Sequence, residues 1–277
     1  MFLYILQVKK IIFCDIDDTL AKRMRKISKK NIEAIKEYTK RGGKFIMATG
    51  RSIVSAYRFQ EQINEAIGKE EEFLICSTGG YIVDKKNKII IKHLIPNDVA
   101  WRIFELAKRN DLWCLFYTEE ANDKRGVYAK SIWFWWILKM FKNLNVLKIR
   151  DNTNLTSFKI IISSFIPSKV RSFVDILNEK FANQVSFTLT NKLVIEINAF
   201  GINKASAASE IMKHEGVCKE DVAAIGDSGN DINLFDIVSL PIAIKTKNEL
   251  VKQHSMYHVK SFKNGVAIAI NDYILNE

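Results

Sequence analysis

Asp15, Asp17 and Asp18 crowd into four positions directly after the apolar run Ile11-Ile12-Phe13-Cys14. A short continuous apolar stretch suits a strand buried on both faces of a parallel sheet. Asp15 and Asp17 are two apart, so they share one side if the extended geometry lasts that long. Two such carboxylates repel each other, and the arrangement persists where a cation, a proton or a positive partner compensates it. A plain acidic turn is the alternative, because Asp is common where strands end.

Three more apolar runs end the same way. Lys44–Ala48 runs into Thr49-Gly50-Arg51, Phe73–Cys76 into Ser77-Thr78-Gly79-Gly80, and Val222–Gly226 into Asp227-Ser228-Gly229-Asn230-Asp231. In an open parallel sheet, ligands bind beyond the carboxyl ends of the strands. If these strands are neighbours, their turns meet. They then gather up to four carboxylates, a hydroxyl and glycine-rich backbone able to present N–H groups. Oxygen donors without His or Cys favour Mg²⁺ over zinc. A magnesium ion among carboxylates, beside N–H donors and a hydroxyl, outlines a phosphoryl-transfer site. Lys204, at the start of a later helix, offers further positive charge.

The elements that must position these turns alternate between strand and helix. Ser28 can cap a helix over Asn31–Lys40, which Gly42-Gly43 stops. A second helix is expected over Ile53–Ile67, and a hairpin over Tyr81–Asp84 and Lys88–Lys92. Pro96-Asn97 then marks a change of character. A helix capped by Asn97 or Asp98 follows, then strands at 112–117, 126–129 and 158–163, a helix over Ser168–Phe181, and strands at 185–190 and 193–198. All five tryptophans lie between 101 and 136. The alternating pattern returns with a helix over Asn203–His214, strands at 222–226, 241–244 and 257–259, and a last helix over Gly265–Leu275. The pattern predicts an α/β protein with a Rossmann-like parallel-sheet core, residues 1–92 and 191–277, interrupted by a mixed α/β domain at 93–190.

Composition narrows the function classes. Apolar and charged fractions are those of a globular protein. No apolar run approaches the roughly 20 residues that span a bilayer. Met1–Val8 is apolar, but no basic residue precedes it and no small-residue cleavage site follows, so no signal peptide is expected. Cys14, Cys76, Cys114 and Cys218 are widely spaced, which reads as free buried thiols in a reducing cytoplasm. The formal net charge of +11 is scattered and follows no nucleic-acid-binding signature. It reads as solvated surface with some attraction for phosphorylated ligands. The four histidines have no ligand spacing. The run Ser131–Leu138, with Trp133, Trp135 and Trp136, reads as core of the inserted domain, with a ligand platform or contact patch as the sharper alternative.

Asp15-Ile16-Asp17-Asp18-Thr19-Leu20, Ala48-Thr49-Gly50-Arg51, Lys204 and Gly226-Asp227-Ser228-Gly229-Asn230-Asp231 resemble, in order, the four motifs of the haloacid dehalogenase superfamily. The insertion after the third strand resembles the cap of its Cof-like sugar-phosphatase branch. The resemblance implies a Mg²⁺-dependent phosphatase acting on a small phosphorylated metabolite, a sugar phosphate first, through an aspartyl-phosphate. It implies that Asp15 is the nucleophile and that Asp17 is the general acid and base, its main-chain carbonyl also holding the metal. Thr49 and Gly50 would bind phosphoryl oxygens, and Lys204 would neutralise the growing charge. Asp227 would ligate Mg²⁺, Asp231 would support the metal shell or pair with Lys204, and Asn230 would hold phosphate or Lys204. The relatives usually carry Asn-Gly-Ala where this chain has Thr78-Gly79-Gly80, so the contact made there is altered, although Thr78 can replace one hydrogen bond. A Met-Gly-Asn-Ala-like segment is likewise replaced by Lys245-Thr246-Lys247-Asn248. Thr19 reads as a brace of its turn, and Arg51 as a salt bridge or a phosphate contact. A phosphomutase or a nucleotide or cofactor phosphatase of the same fold is the nearest alternative. A basic binding protein without turnover is the more distant one. Neither a specific nucleic acid nor a membrane is an expected partner.

Overall fold

A computed structural model of the chain describes residues 9–22, 25–118, 124–128 and 145–276. The described residues form two compact units, one of residues up to Ile91 together with Lys204 onward, the other Lys92–Asn203.

The first unit is built on an eight-stranded sheet. Its strands are β1 (Ile11–Cys14), β2 (Lys44–Ala48), β3 (Phe73–Cys76), β4 (Tyr81–Asp84) and β5 (Ile89–Lys92), then, after the second unit, strands at Val222–Gly226, Leu240–Ile244 and Tyr257–Val259. In spatial order the last three strands, taken backwards, precede β1-β2-β3-β4-β5. The strand at 222–226 lies beside β1 in parallel register, Ile11 opposite Val222, and β2 flanks β1 on its other side. Pairing turns antiparallel at β4, which folds back on β3. All four residues of β1 and of β3 are buried, as continuous apolar runs in a doubly covered sheet require. Helix α1 (Lys29–Lys40) begins where the Ser28 hydroxyl accepts the Asn31 N–H, and α2 (Ile53–Ile67) ends at Gly68 in the left-handed conformation.

The second unit holds α3 (Asn97–Arg109), β6 (Trp113–Thr118), β7 (Lys124–Tyr128), β8 (Asn145–Lys148), β9 (Ser157–Ser163), α4 (Pro167–Phe181), β10 (Val185–Asn191) and β11 (Val194–Ala199). Its sheet runs β10-β11-β9-β6-β7-β8. The pairs are antiparallel except β7 with β8. Ile103, Phe104, Phe116, Ile160, Phe173 and Leu177 share one core. The boundary expected at 190–191 falls at the end of β10, whose partner β11 belongs to the same sheet. Asn97 is not the helix cap: it is the first residue of α3, behind Pro96, and its side chain accepts the Leu155 N–H at 2.7 Å. Trp101 donates its indole N–H to the Thr153 carbonyl, and Trp113 meets Phe165 edge-on. The run Ser131–Leu138, with Trp133, Trp135 and Trp136, lies outside the described residues.

After the second unit come α5 (Lys204–Glu215), β12 (Val222–Gly226), α6 (Ile232–Asp236), β13 (Leu240–Ile244), α7 (Glu249–Gln253), β14 (Tyr257–Val259) and α8 (Gly265–Ile268). The last expected helix is shorter than its apolar pattern suggests, and continues over Ala269–Ile274 as a wider turn. No helix among the described residues is long and apolar enough to cross a membrane. Three cysteines are buried and free; Cys218 is exposed, against the expectation that all four are buried.

Candidate active site

The sheet order places β12, β1, β2 and β3 side by side and mutually parallel. Their carboxyl ends therefore open on the same edge, and the four polar turns meet there.

The first unit's most buried charges lie at this edge. Lys204, the first residue of α5, is 0% exposed. Its ammonium donates to Asp15 Oδ1 at 2.5 Å and to Asp231 Oδ1 at 2.6 Å. Burial opposes the charge on Lys204, but Asp15 and Asp231 outweigh it and hold the ammonium above its ordinary range. Asp15 is pushed up by burial, against the pull of Lys204, with Asp231 and Asp227 adding to the rise. Asp227 is pushed up to about 7, by burial and then by Asp231, while Thr19 and Lys204 act against the rise. Three carboxylates thus share one ammonium.

Local folding fixes each acid. Asp231 sits in a capping box: its Oδ2 accepts the Asp227 and Ser228 N–H groups at 3.1 and 3.0 Å. A Cβ on Gly226 would lie 2.5 Å from Asp231 Cγ, so only glycine lets that carboxylate lie against the strand end. Thr19 donates to Asp227 Oδ1 at 3.1 Å. The loop after β1 is tied down by buried Asn31, which donates to the Leu20 carbonyl and accepts the Ala267 N–H.

Asp17 stands apart from this cluster. Arg51 grips it with two bonds, Nε to Oδ2 at 2.7 Å and Nη2 to Oδ1 at 2.6 Å. Arg51 thus makes a salt bridge, one of the two expected alternatives. Thr49, fully buried at the end of β2, accepts the Arg51 N–H through its hydroxyl, and Gly50 lies between them. The Thr78 N–H donates to the Thr49 carbonyl, which joins the second and third turns. Ser77, Thr78 and Gly79 have φ of 51°, 59° and 96° in succession. Left-handed backbone at a β-branched residue costs of order 1–3 kcal/mol and clusters at functional sites. Asn, expected here from the resemblance, tolerates that conformation better than Thr.

The model of the haloacid dehalogenase-like hydrolases matches residues 12–270. The chain belongs to that family. Among its relatives is 5-amino-6-(5-phospho-D-ribitylamino)uracil phosphatase YcsE of Bacillus subtilis, 26% identical over 96% of each chain. The haloacid dehalogenase subclass IIB sugar phosphatase BT4131 shares the fold, with a TM-score of 0.78 and 21% identity over 95% of this chain and 98% of its own. A haloacid dehalogenase-like hydrolase of Bacillus subtilis superposes with a TM-score of 0.81, at 17% identity over 95% of this chain and 99% of its own.

In this hydrolase, Asp15, Asp227 and Asp231 place carboxylate oxygens within 4.8 Å of one another. The set suits Mg²⁺: hard oxygen donors, no sulfur or imidazole, and two negative charges left after Lys204 is counted. Asp231 spends one oxygen on Lys204 and the other on backbone N–H groups, which leaves Asp15 and Asp227 to face an ion directly. The side chain of Asp17 is committed to Arg51, so only its main-chain carbonyl is available to a metal. The Asn230 amide oxygen accepts the Ser228 hydroxyl at 2.8 Å, so that part of the side chain steadies its own loop rather than meeting Lys204. Sequence reasoning left open the Arg51 grip and the Thr19 partner, and it missed Asn31. The lone buried-helix Asn among apolar positions was the signal available for Asn31.

Proposed function

We propose that this hydrolase is a Mg²⁺-dependent phosphatase of the cytoplasm. It hydrolyses a small phosphorylated metabolite, a sugar or ribityl phosphate first and a nucleotide-like or cofactor phosphate second. The observation that carries the reading is the double contact of buried Lys204 with Asp15 and Asp231, beside Asp227. The names of YcsE and BT4131 support the order of substrates.

Asp15 attacks phosphorus through a carboxylate oxygen, and the bond to the alcohol oxygen breaks. Lys204 keeps Asp15 oriented and meets the negative charge gathering on the phosphoryl oxygens. Thr49 and the Gly50 backbone hold those oxygens, with Thr78 and Gly79 lining the same edge. Asp17 leaves Arg51, takes up a proton from solvent and gives it to the leaving oxygen. It then takes a proton from the water that attacks phosphorus and frees Asp15. Asp15, Asp227 and the Asp17 main-chain carbonyl, supported by Asp231, would hold Mg²⁺, which would supply charge neutralisation for this transfer. The second unit, Lys92–Asn203, is assigned the part of the cap.

Turnover of an aryl phosphate with Mg²⁺ tests the reading. Asp15→Asn should abolish it while leaving the fold intact, and EDTA should silence the wild type until Mg²⁺ is restored. Near-normal activity in Asp15→Asn, or indifference to chelation, would sink the assignment.

A further inference from the structure

Three segments of the first unit, 22–30, 245–248 and 260–264, carry basic residues and no acid. Lys22, Arg25, Lys26, Lys29 and Lys30 follow the turn of Asp15 and Asp17. Lys245 and Lys247 follow β13, and Lys260 and Lys263 follow β14. All nine are exposed. Elsewhere in the unit Lys10 pairs with Asp221, and Lys44 with Glu72 and Glu215. None of the nine forms an ion pair among the described residues.

The fold draws the three segments into one arc on the edge where the four turns meet. β13 and β14 run parallel to β12 and β1, so their carboxyl ends open on that edge. Asp17 pairs with Ala21 in an isolated bridge, so the first segment leaves the turn from beside Asp17. The Ser28 hydroxyl donates to Asn264 Oδ1 at 3.2 Å, which ties the first segment to the third. The Lys245 N–H donates to the Val259 carbonyl at 2.8 Å, which brings the second segment to the third. A Cβ on Gly229 would lie 3.9 Å from Asn248 Nδ2, so the second segment also borders the turn of Asp227 and Asp231.

This charge is gathered against local stability. Lys29 and Lys30 take the first two positions of α1, where the helix dipole favours acids, and that turn holds no acid. Lys245 has left-handed backbone, with φ of 42°, which strains a residue other than glycine. The acids that flank the segments in sequence are Asp18, Glu33 and Glu249, and Glu249 is paired with Lys252 at 2.7 Å. Inside the site, Asp15, Asp17, Asp227 and Asp231 face Lys204 and Arg51, and the two negative charges left are those the proposed Mg²⁺ would cancel. Long-range attraction for an anion therefore comes from the arc.

We infer that the arc is an anion-collecting rim of the site, which favours phosphate esters bearing a second anionic group over esters bearing one. The inference rests on the phosphatase reading above. Neighbouring strands lie about 4.8 Å apart, so β13 and β14 end about 10 and about 14 Å from β1. Those distances fall inside the Debye length of about 30 Å at 0.01 M salt and outside the roughly 8 Å of 0.15 M. The rim acts through space on KM, and its pull scales with the charge of the substrate.

The test measures kcat and KM between about 0.02 and about 0.3 M sodium chloride at fixed Mg²⁺. The substrates are glycerol phosphate against phosphoglycerate, and a hexose monophosphate against its bisphosphate. Arg25→Gln/Lys26→Gln, Lys245→Gln/Lys247→Gln and Lys260→Gln/Lys263→Gln each neutralise one part of the rim. Lys85→Gln/Lys86→Gln is the control for net charge alone, because β4 runs back from β3 and puts that turn at the opposite edge. In the wild type KM should rise with salt in proportion to charge: about threefold for a monoester becomes about tenfold for a bisphosphate, with phosphoglycerate above glycerol phosphate. Each rim variant should flatten that slope and raise the low-salt KM for the bisphosphate by about twofold or more, with little change in kcat. The control should move neither. Equal slopes for the members of both pairs, or rim and control variants that behave alike, would overturn the inference and leave the phosphatase reading standing. Tight, salt-sensitive binding of a single-stranded oligonucleotide, with no preference among the esters, would also overturn it and make the arc a nucleic-acid surface. Absence of turnover on every ester would instead overturn the phosphatase reading, and calorimetric titration of the same esters into Asp15→Asn, with and without the rim substitutions at low and high salt, would still decide the role of the rim.

Discussion

Glu71 gives a prediction that can be worked through from structure to assay. It sits just before β3, at the end of the sheet opposite the four turns, and is 4% exposed. Its Oε1 is buried without a partner among the described residues. Burial pushes its carboxyl up to about 7 from an ordinary value of 4.5; Lys69 and the Phe45 N–H work against that rise, and Glu72 adds to it. The folded protein therefore binds a proton that the unfolded chain has already released between about pH 4.5 and 7. Stability from this group is present below the unfolded value and is lost as pH climbs through the folded one. At about 1.4 kcal/mol for each pH unit, the loss approaches about 3 kcal/mol above neutrality. Glu71→Gln keeps the shape and an acceptor for the Phe45 N–H but cannot ionise. It should stabilise the protein by about 2–3 kcal/mol at pH 8, allowing for an amide with an orphan of its own, and change little at pH 4.5. Urea unfolding of both proteins at the two pH values reads this directly. An equal effect at both pH values, or destabilisation at pH 8, would refute the claim that an uncompensated buried charge is the cause.

Two other substitutions probe the site itself. Lys204→Met leaves three close carboxylates with no ammonium among them. It should cost about 3–5 kcal/mol of stability without Mg²⁺, less with it, and turnover should fall by roughly 10²–10³ or more. Urea melts with and without Mg²⁺ and aryl-phosphate kinetics check both. Gly226→Ala puts a methyl where Asp231 Cγ and Oδ2 would be 2.5 and 2.6 Å away. The overpacking should cost about 1–3 kcal/mol, and because Asp231 anchors Lys204, kcat should drop out of proportion to the change in unfolding free energy.

The parts of this protein legible in the sequence are those carried by local pattern. Strands β1, β2, β3 and β12 announce themselves as apolar runs closed by polar turns, and buried parallel strands have no other way to look. Ser28 names the start of α1 because its hydroxyl acts on a residue three positions on. The site's inner geometry is legible only as far as types and order reach. Lys204 and Asp15 stand 189 positions apart and Thr19 and Asp227 stand 208 apart, distances over which no periodicity speaks. Arg51 was open between two roles because an arginine after Thr-Gly carries no mark of whether it turns to Asp17. Asn97 looked like a cap by type; Pro96, with its fixed φ, takes the position before the helix and frees the Asn97 side chain to reach Leu155.

What distinguishes the acids of the site is their partners, not their residue type. Asp231 has both oxygens committed, one to Lys204 and one to N–H groups of its own loop, so it acts as a fixed post that aims the ammonium. Asp15 shares that ammonium through Oδ1, and the proposed nucleophilic role calls for its other oxygen. Asp227 accepts the Thr19 hydroxyl and gives its N–H to Asp231, and its carboxyl is pushed up to about 7 by burial first and Asp231 second. The Asp17 side chain is held instead by Arg51, through two bonds. Asp18 holds left-handed backbone, with φ of 58°, in the turn that follows Asp17.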